Sequence, residues 1–193
     1  MQRLTPALLL AAYSQGYFPM AESRHGEEIC WYEPELRGVL PLDGFHVPKS
    51  LAKFLKHASF HYSMNHAFRA VITACAERES TWINDEIIEL YCQLHEMGYA
   101  QSVEVWMPDP QARSQKLVGG LYGVCLGRAF FGESMFSRTS NASKAALVYL
   151  LGHLRENGYT LLDAQYVNDH LKQFGIIEIS RDEYLKRLRE ALS

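Results

Sequence analysis

Residues 103–136 read VEVWMPDPQARSQKLVGGLYGVCLGRAFFGESMF, and the reading of this stretch decides the fold. VEVWMP, KLVGGLYGVCL and RAFFGESMF are apolar runs rich in β-branched and aromatic residues, separated by PDPQARSQ and by Leu126-Gly127. Pro, Asp and Gly in those interruptions are turn residues, so the pattern predicts three strands in an antiparallel meander. One residue resists it. Glu133 lies between Phe130, Phe131, Met135 and Phe136. A carboxylate buried there costs on the order of several kcal/mol unless something pairs with it. Strand alternation turns Glu133 to the same face as Phe131 and Met135.

Working outward, Ala142 to Asn157 has helical spacing and stops at Gly158, after which come the strand TLLDAQ, a short helix NDHLKQFG, the strand IIEI and a last helix DEYLKRLREAL. Upstream, INDEIIELYCQLHEMG is a helix capped by Asn84 and ended by Gly98, and a further helix runs from about His66 to Glu77. Thr5-Pro6 opens a first helix that reaches Gly16; GYFPMAESRHGEE reads as a loop, and ICWY, GVLPL and FHYSM as short strands. Strands with helices on both sides give an α/β class, with a mixed sheet flanked by helices.

With 193 residues, 48% of them hydrophobic, the chain can bury one sizeable core. No run reaches the roughly 18 apolar residues of a membrane span, and MQRLTPALLL lacks the parts of a secretory signal, so a cytoplasmic location is expected. Cys30, Cys75, Cys92 and Cys125 are scattered without a CxxC pair, which predicts reduced thiols, with the sequon at Asn141 unused. Nineteen Lys and Arg against 22 Asp and Glu carry no whole-chain signature of nucleic-acid binding, so any such site must be local. The candidate is VPKSLAKFLKH, where Lys49, Lys53 and Lys56 recur at helical spacing beside His57. Such a stripe is either a phosphate-binding surface or a solvated helix face.

In TLLDAQ, Asp163 and Gln165 share a face. Ser140, Asn141 and Ser143 stand where the next helix begins; they can cap it, or its free N–H groups can take an anion. In the plainer alternative Ser140 or Asn141 is only a cap and Asp163 only pairs with Arg138. No Walker motif and no metal-ligand cluster appears, and His57, His61 and His66 fall on separate predicted elements. No metal or other cofactor is expected.

TWINDEIIELYCQLHEMGYAQSVEVW, LVGGLYGV, FFGESMFSRTSNASK and LLDAQYVNDHLKQFG, in this order, resemble the bacterial leucyl/phenylalanyl-tRNA–protein transferase family from about Leu4 to the C-terminus. The resemblance implies a small N-terminal lobe, residues 1–36, and a domain similar to the GCN5-related N-acetyltransferases, residues 37–193. It implies an enzyme, expected to be a monomer, that moves Leu or Phe, and by extension Met, from aminoacyl-tRNA to the N-terminal amine of proteins beginning with Arg or Lys, marking them for degradation. An aminoacyl ester is already activated, so this chemistry needs only positioning, proton removal and stabilisation of an oxyanion.

By resemblance Glu133 receives the aminoacyl ammonium group, and Gln165 with Asp163 serves the attacking amine. An amide is a weak base, so Gln165 should orient the amine while Asp163 or the departing ribose oxygen takes the proton. Leu121, Met135, Leu147, Leu150, Leu154 and Leu162 are implied to line the amino-acid pocket, although equally spaced leucines also make ordinary core. Trp82 is implied to stack on the terminal adenosine, and Lys49, Lys53, Lys56 and His57 to face the tRNA backbone.

This chain departs from the family pattern in three ways. Met20 replaces a second tryptophan at the adenosine site, Leu150 and Leu154 replace aromatic residues, and about thirty upstream residues of many members have no counterpart, so a reduced lobe is expected. SRTSNASK stands where related acetyltransferases carry their coenzyme A loop. Two other readings stay open: a coenzyme A-dependent N-acyltransferase, and a non-catalytic binder of aminoacyl-tRNA or of basic N-terminal peptides.

Overall fold

A computed structural model describes residues 4–26 and 28–193; Met1 to Arg3 of the expected lobe and Glu27 of the expected loop lie outside the described residues. The first elements are α1 (Pro6–Ser14), β1 (Phe18–Ala21), β2 (Ile29–Tyr32), β3 (Leu36–Val39), α2 (Lys49–His57) and β4 (His61–Met64). Next come α3 (Phe68–Ala76), α4 (Asp85–Glu96), β5 (Ala100–Asp109), β6 (Ser114–Leu126), β7 (Ala129–Ser137) and α5 (Ala142–Glu156). The chain ends with β8 (Leu161–Gln165), α6 (Asp169–Lys172), β9 (Ile177–Ser180) and α7 (Arg181–Leu192). No helix among the described residues is long and apolar enough to cross a membrane.

The meander β5-β6-β7 forms as read, antiparallel throughout. It is the centre of a seven-stranded sheet ordered β4-β5-β6-β7-β8-β3-β9. One pair, β7 with β8, is parallel, and α5 is the crossover that such a pair requires. On one face α1, α3, α4 and α7 bury Leu9, Tyr13, Val71, Ile72, Ile87 and Leu188. On the other, α2 and α5 bury Leu51, Leu147, Leu151 and Leu154. This is the mixed α/β sandwich expected from the alternation of elements.

Three local readings are corrected. FPMA, read within a loop, is β1; it pairs antiparallel with β2, Pro19 opposite Trp31, and Pro is tolerated because this two-stranded ribbon consists only of edges. The strand read at GVLPL begins two residues earlier and stops before Pro41, whose missing N–H cannot continue the ladder. The third concerns Glu133. Tyr122 pairs with Ser134 but Gly123 pairs with Gly132, so β7 carries a bulge and Glu133 is its unpaired residue. Glu133 therefore stays with Phe131 on the α1/α4 face, while Met135 packs against the leucines of α5 on the other.

Gly119 sets how closely α5 approaches the sheet. A Cβ at this position would lie 2.5 Å from the Ala142 Cβ, so only glycine lets the start of α5 sit directly on β6.

Candidate active site

β7 and β8 pair only at Ala129–Leu161, Phe130–Leu162 and Phe131–Asp163, and beyond these they part. The fork continues into a cavity of about 690 Å³. Leu121, Phe130, Met135, Leu147, Leu150 and Leu162 give it an apolar wall, and Trp82, Glu77, Arg78 and Arg138 also line it. Glu133 on β7 and Gln165 on β8 meet across the fork, with the Gln165 Nε2 donating to Glu133 Oε1 at 3.2 Å.

Two phenols complete the surroundings of Glu133. Tyr13 of α1 donates to Oε1 at 2.7 Å, and Tyr91 of α4 lies 2.5 Å from the Tyr13 oxygen and 3.3 Å from Oε2. No cation among the described residues pairs with this carboxylate. Burial, the largest effect, pushes its pKa up to about 7; the Tyr13 hydrogen bond opposes, the Asp163 charge pushes up again, and Tyr91 and Gln165 pull down. Burial and then the Glu133 charge hold both phenols well above their ordinary range, so they remain donors. A half-neutral carboxyl with three donors, part of its surface open to the cavity, is suited to accept an incoming ammonium group.

Asp163 has different surroundings. It is fully buried and clamped by Arg37, whose Nε reaches Oδ1 at 2.9 Å and whose terminal nitrogen reaches Oδ2 at 2.6 Å. Tyr184 donates to Oδ2 at 2.8 Å and the Gln165 backbone N–H to Oδ1 at 2.8 Å. Arg37 is sandwiched between the Phe18 and Tyr184 rings, 4.5 Å from each centroid, and donates to the Gly16 carbonyl. These bonds fill the acceptor sites of Asp163, so its work is to hold the backbone that follows it.

That backbone is strained. Gln165 has φ +63°, and the Tyr166 N–H bonds the Ala164 carbonyl at 2.7 Å, which makes a γ-turn of the rare positive-φ kind centred on Gln165. Gly38 lies behind it; a Cβ there would be 2.8 Å from the Tyr166 carbonyl carbon. The turn ends β8 and aims the Gln165 amide across the fork.

The structure thus brings Glu133, Asp163 and Gln165 into one network, and Leu121, Met135, Leu147, Leu150, Leu162 and Trp82 into one cavity wall. Leu154 does not join them. It lies in the fourth turn of α5, about 6 Å beyond Leu150 along the helix axis, and packs in the core. Met20 is half-buried beside Trp82, whose carbonyl accepts from the Ala21 N–H, but it is not part of the wall. Lys49, Lys53, Lys56 and His57 are exposed on α2, away from the cavity wall.

Asp163 pairs with Arg37, not Arg138; the latter pairs with Glu77. Asn141 makes no side-chain cap: it takes a left-handed φ of +62°, and the Ser137 Oγ accepts from the Ser143 N–H instead. The Ala142 N–H is also occupied, by the Thr139 carbonyl, so the start of α5 is largely satisfied within the chain.

Sequence reasoning missed Tyr13, Tyr91, Arg37 and Tyr184. Arg37 had a usable signal, a cation inside the apolar run LRGVL, whereas the tyrosines look like any helix core residue.

Residues 39–189 match the leucyl/phenylalanyl-tRNA protein transferase family, and residues 2–35 match the N-terminal domain of that family. A leucyl/phenylalanyl-tRNA–protein transferase of Dinoroseobacter shibae is 52% identical over 191 residues, covering 99% of this chain and 83% of the relative. One from Paramagnetospirillum magneticum is 53% identical over 197 residues, covering 100% of this chain and 91% of the relative. Among solved structures, the crystal structure of FemX superposes with a TM-score of 0.54 at 11% identity, over 84% of this chain and 60% of that one; this is a likeness of fold.

Proposed function

The chain belongs to the leucyl/phenylalanyl-tRNA protein transferase family, and we propose that it moves leucine or phenylalanine, with methionine as a further donor, onto proteins that begin with Arg or Lys. It is an aminoacyltransferase whose substrates are an aminoacyl-tRNA and a protein. In the reading proposed here the product is a destabilising N-terminus that leads to degradation, and the enzyme works as a cytoplasmic monomer. The lobe of residues 1–36 supplies Tyr13 and Phe18 to a site whose remaining parts come from residues 37–193.

The observation that carries this reading is the meeting of Glu133 and Gln165 across the fork of β7 and β8, above an apolar cavity with Trp82 in its wall. The donor side chain enters between Leu121, Met135, Leu147, Leu150 and Leu162, its ammonium group goes to Glu133, and the adenosine stacks on Trp82 with Met20 beside it. The α2 stripe of Lys49, Lys53, Lys56 and His57 takes phosphates of the tRNA body.

The acceptor amine, with a pKa of about 8, keeps roughly a fifth of its population neutral near physiological pH, so only modest help is needed to free it. Gln165 orients it toward the ester carbonyl carbon. The new C–N bond forms, the bond to the ribose oxygen breaks, and the amine proton passes to that oxygen. The acceptor sites of Asp163 are already filled by Arg37, Tyr184 and the Gln165 N–H, so the amine proton has no free oxygen to reach there. The part of Asp163 is to hold the strained turn at Gln165.

The test is to supply labelled leucyl-tRNA and a peptide beginning with Arg, with an N-acetylated copy of the peptide as control. Label is expected in the free peptide alone, and Gln165→Ala is expected to lower kcat by about 10²-fold, the scale of a lost orienting group. A free peptide left unlabelled by the unmodified chain overturns the reading. Acetylation of the peptide from acetyl-coenzyme A would favour the N-acyltransferase alternative, and binding of aminoacyl-tRNA without transfer the non-catalytic one.

A further inference from the structure

Among the described residues, Arg78 and Arg138 are the only lysine or arginine side chains in the cavity wall, and neither has a part in the amino-acid pocket. Both are exposed. Arg78 follows α3 and stands four residues before Trp82; one of its terminal nitrogens donates to the Met135 carbonyl on β7, and its other donors have no partner among the described residues. Arg138 follows β7. Its guanidinium lies 5.3 Å from the centroid of the Phe136 ring and bonds Glu77 Oε2 at 2.7 Å, with a long contact of 3.5 Å to the Leu117 carbonyl.

Trp82, Arg78, Glu77 and Arg138 therefore line the same cavity as the leucines. We infer that Arg78 and Arg138 form a phosphodiester subsite for the donor strand, holding the phosphate on the 5′ side of the terminal adenosine. The inference rests on the proposed placement of the adenosine on Trp82 with its 3′ ester directed at Glu133. A ribose whose 3′ oxygen enters the fork directs its 5′ oxygen away from Glu133, within the same cavity that the two guanidinium groups line.

Two planar, multi-donor cations match the non-bridging oxygens of one phosphate. The exposed Glu77–Arg138 pair is weak and exchangeable, and keeps the Arg138 side chain extended over Phe136 until the phosphate displaces it. This subsite reads no sequence; it fixes the depth at which the strand end sits, and so where the ester carbonyl meets Gln165.

The experiment uses two small donors, 3′-O-leucyl-adenosine and 3′-O-leucyl-adenosine 5′-monophosphate, with an Arg-initiated peptide as acceptor. The readout is the ratio of their kcat/KM values, in which any general loss from a damaged fold cancels. The unmodified chain is expected to prefer the phosphorylated donor by about tenfold or more, the scale of a charge-assisted contact. Arg138→Gln and Arg78→Gln are each expected to bring the ratio toward one. A ratio near one in the unmodified chain, or an unchanged ratio in both variants, overturns the subsite. If the unmodified chain transfers leucine from neither small donor nor leucyl-tRNA, it is the transferase reading that fails instead.

Discussion

Glu133 and Asp163 belong to one buried network, yet they have different partners. Asp163 has a guanidinium and two further donors, whereas Glu133 has three neutral donors and a like charge nearby. Glu133 has its pKa raised from 4.5 to about 7, so between those values the folded chain binds more protons than the unfolded one. Its stability contribution is then present below about 4.5 and is lost as pH rises through about 7. Denaturation curves at acidic and mildly alkaline pH should show Glu133→Gln gaining stability relative to the unmodified chain at the higher pH, with the difference shrinking at the lower. A constant difference would place the burial effect elsewhere. Asp163→Asn is the opposite experiment. It leaves Arg37 charged and unpaired in the core, which should cost about 3–5 kcal/mol in thermal or urea denaturation. Arg138→Ala breaks an exposed ion pair and a contact with the Phe136 ring, and should cost about 1 kcal/mol. The residues that make these contacts are 126 and 120 positions away from their partners in the chain, Arg37 from Asp163 and Tyr13 from Glu133. That is why the carboxylates could be singled out in the sequence and their true partners could not.

Individual elements position the site through contacts that local sequence only partly reveals. The meander was legible because its strands are consecutive and its turns carry Pro, Asp and Gly; the bulge at Glu133 was not, because a bulge is a relation between two strands and strict alternation cannot show it. Helix α3 gives a second case. Ala67 at its start has no capping side chain, and the buried Glu104 of β5 takes that role, accepting from the Ala67 N–H at 3.3 Å and from the Ser63 and Ser102 hydroxyls at 2.6 and 2.5 Å. Glu104→Ala should cost about 1–3 kcal/mol and speed hydrogen exchange in the first turn of α3. If those amides stay protected, the cap is carried by something else. Gly119 positions α5, whose first three turns supply Ser143, Leu147 and Leu150 to the cavity. Gly119→Ala should cost about 1–3 kcal/mol and raise KM for the aminoacyl donor while leaving KM for the peptide nearly unchanged. Equal effects on both KM values would mean that the whole fork had moved.

Across the whole molecule, a formal charge of -3 conceals a segregation of signs. Residues 17–36 contain Glu22, Glu27, Glu28, Glu33 and Glu35 against Arg24 and His25, whereas residues 46–57 contain Lys49, Lys53, Lys56, His46 and His57 and no acid. The two segments also belong to opposite faces: Phe18 of the ribbon packs with the α1/α4 core and Leu51 of α2 with the α5 core. In the function proposed above, this segregation would draw a polyanionic donor to the α2 face and leave the acidic segment for an acceptor with a basic N-terminal residue. Each lysine of α2 that neutralises a tRNA phosphate should contribute about 0.7–0.9 to the slope of log(kcat/KM) against log salt concentration. Replacing Lys49, Lys53 and Lys56 together by Ala should flatten that slope by about two units with full aminoacyl-tRNA and raise KM for it. With a leucyl-adenosine donor, which has no tRNA body to reach α2, the same triple variant should show the salt dependence of the unmodified chain. A slope that stays steep with full aminoacyl-tRNA would move the tRNA-binding surface off α2; a slope that changes with the small donor would mean the lysines act on the cavity rather than on the tRNA body.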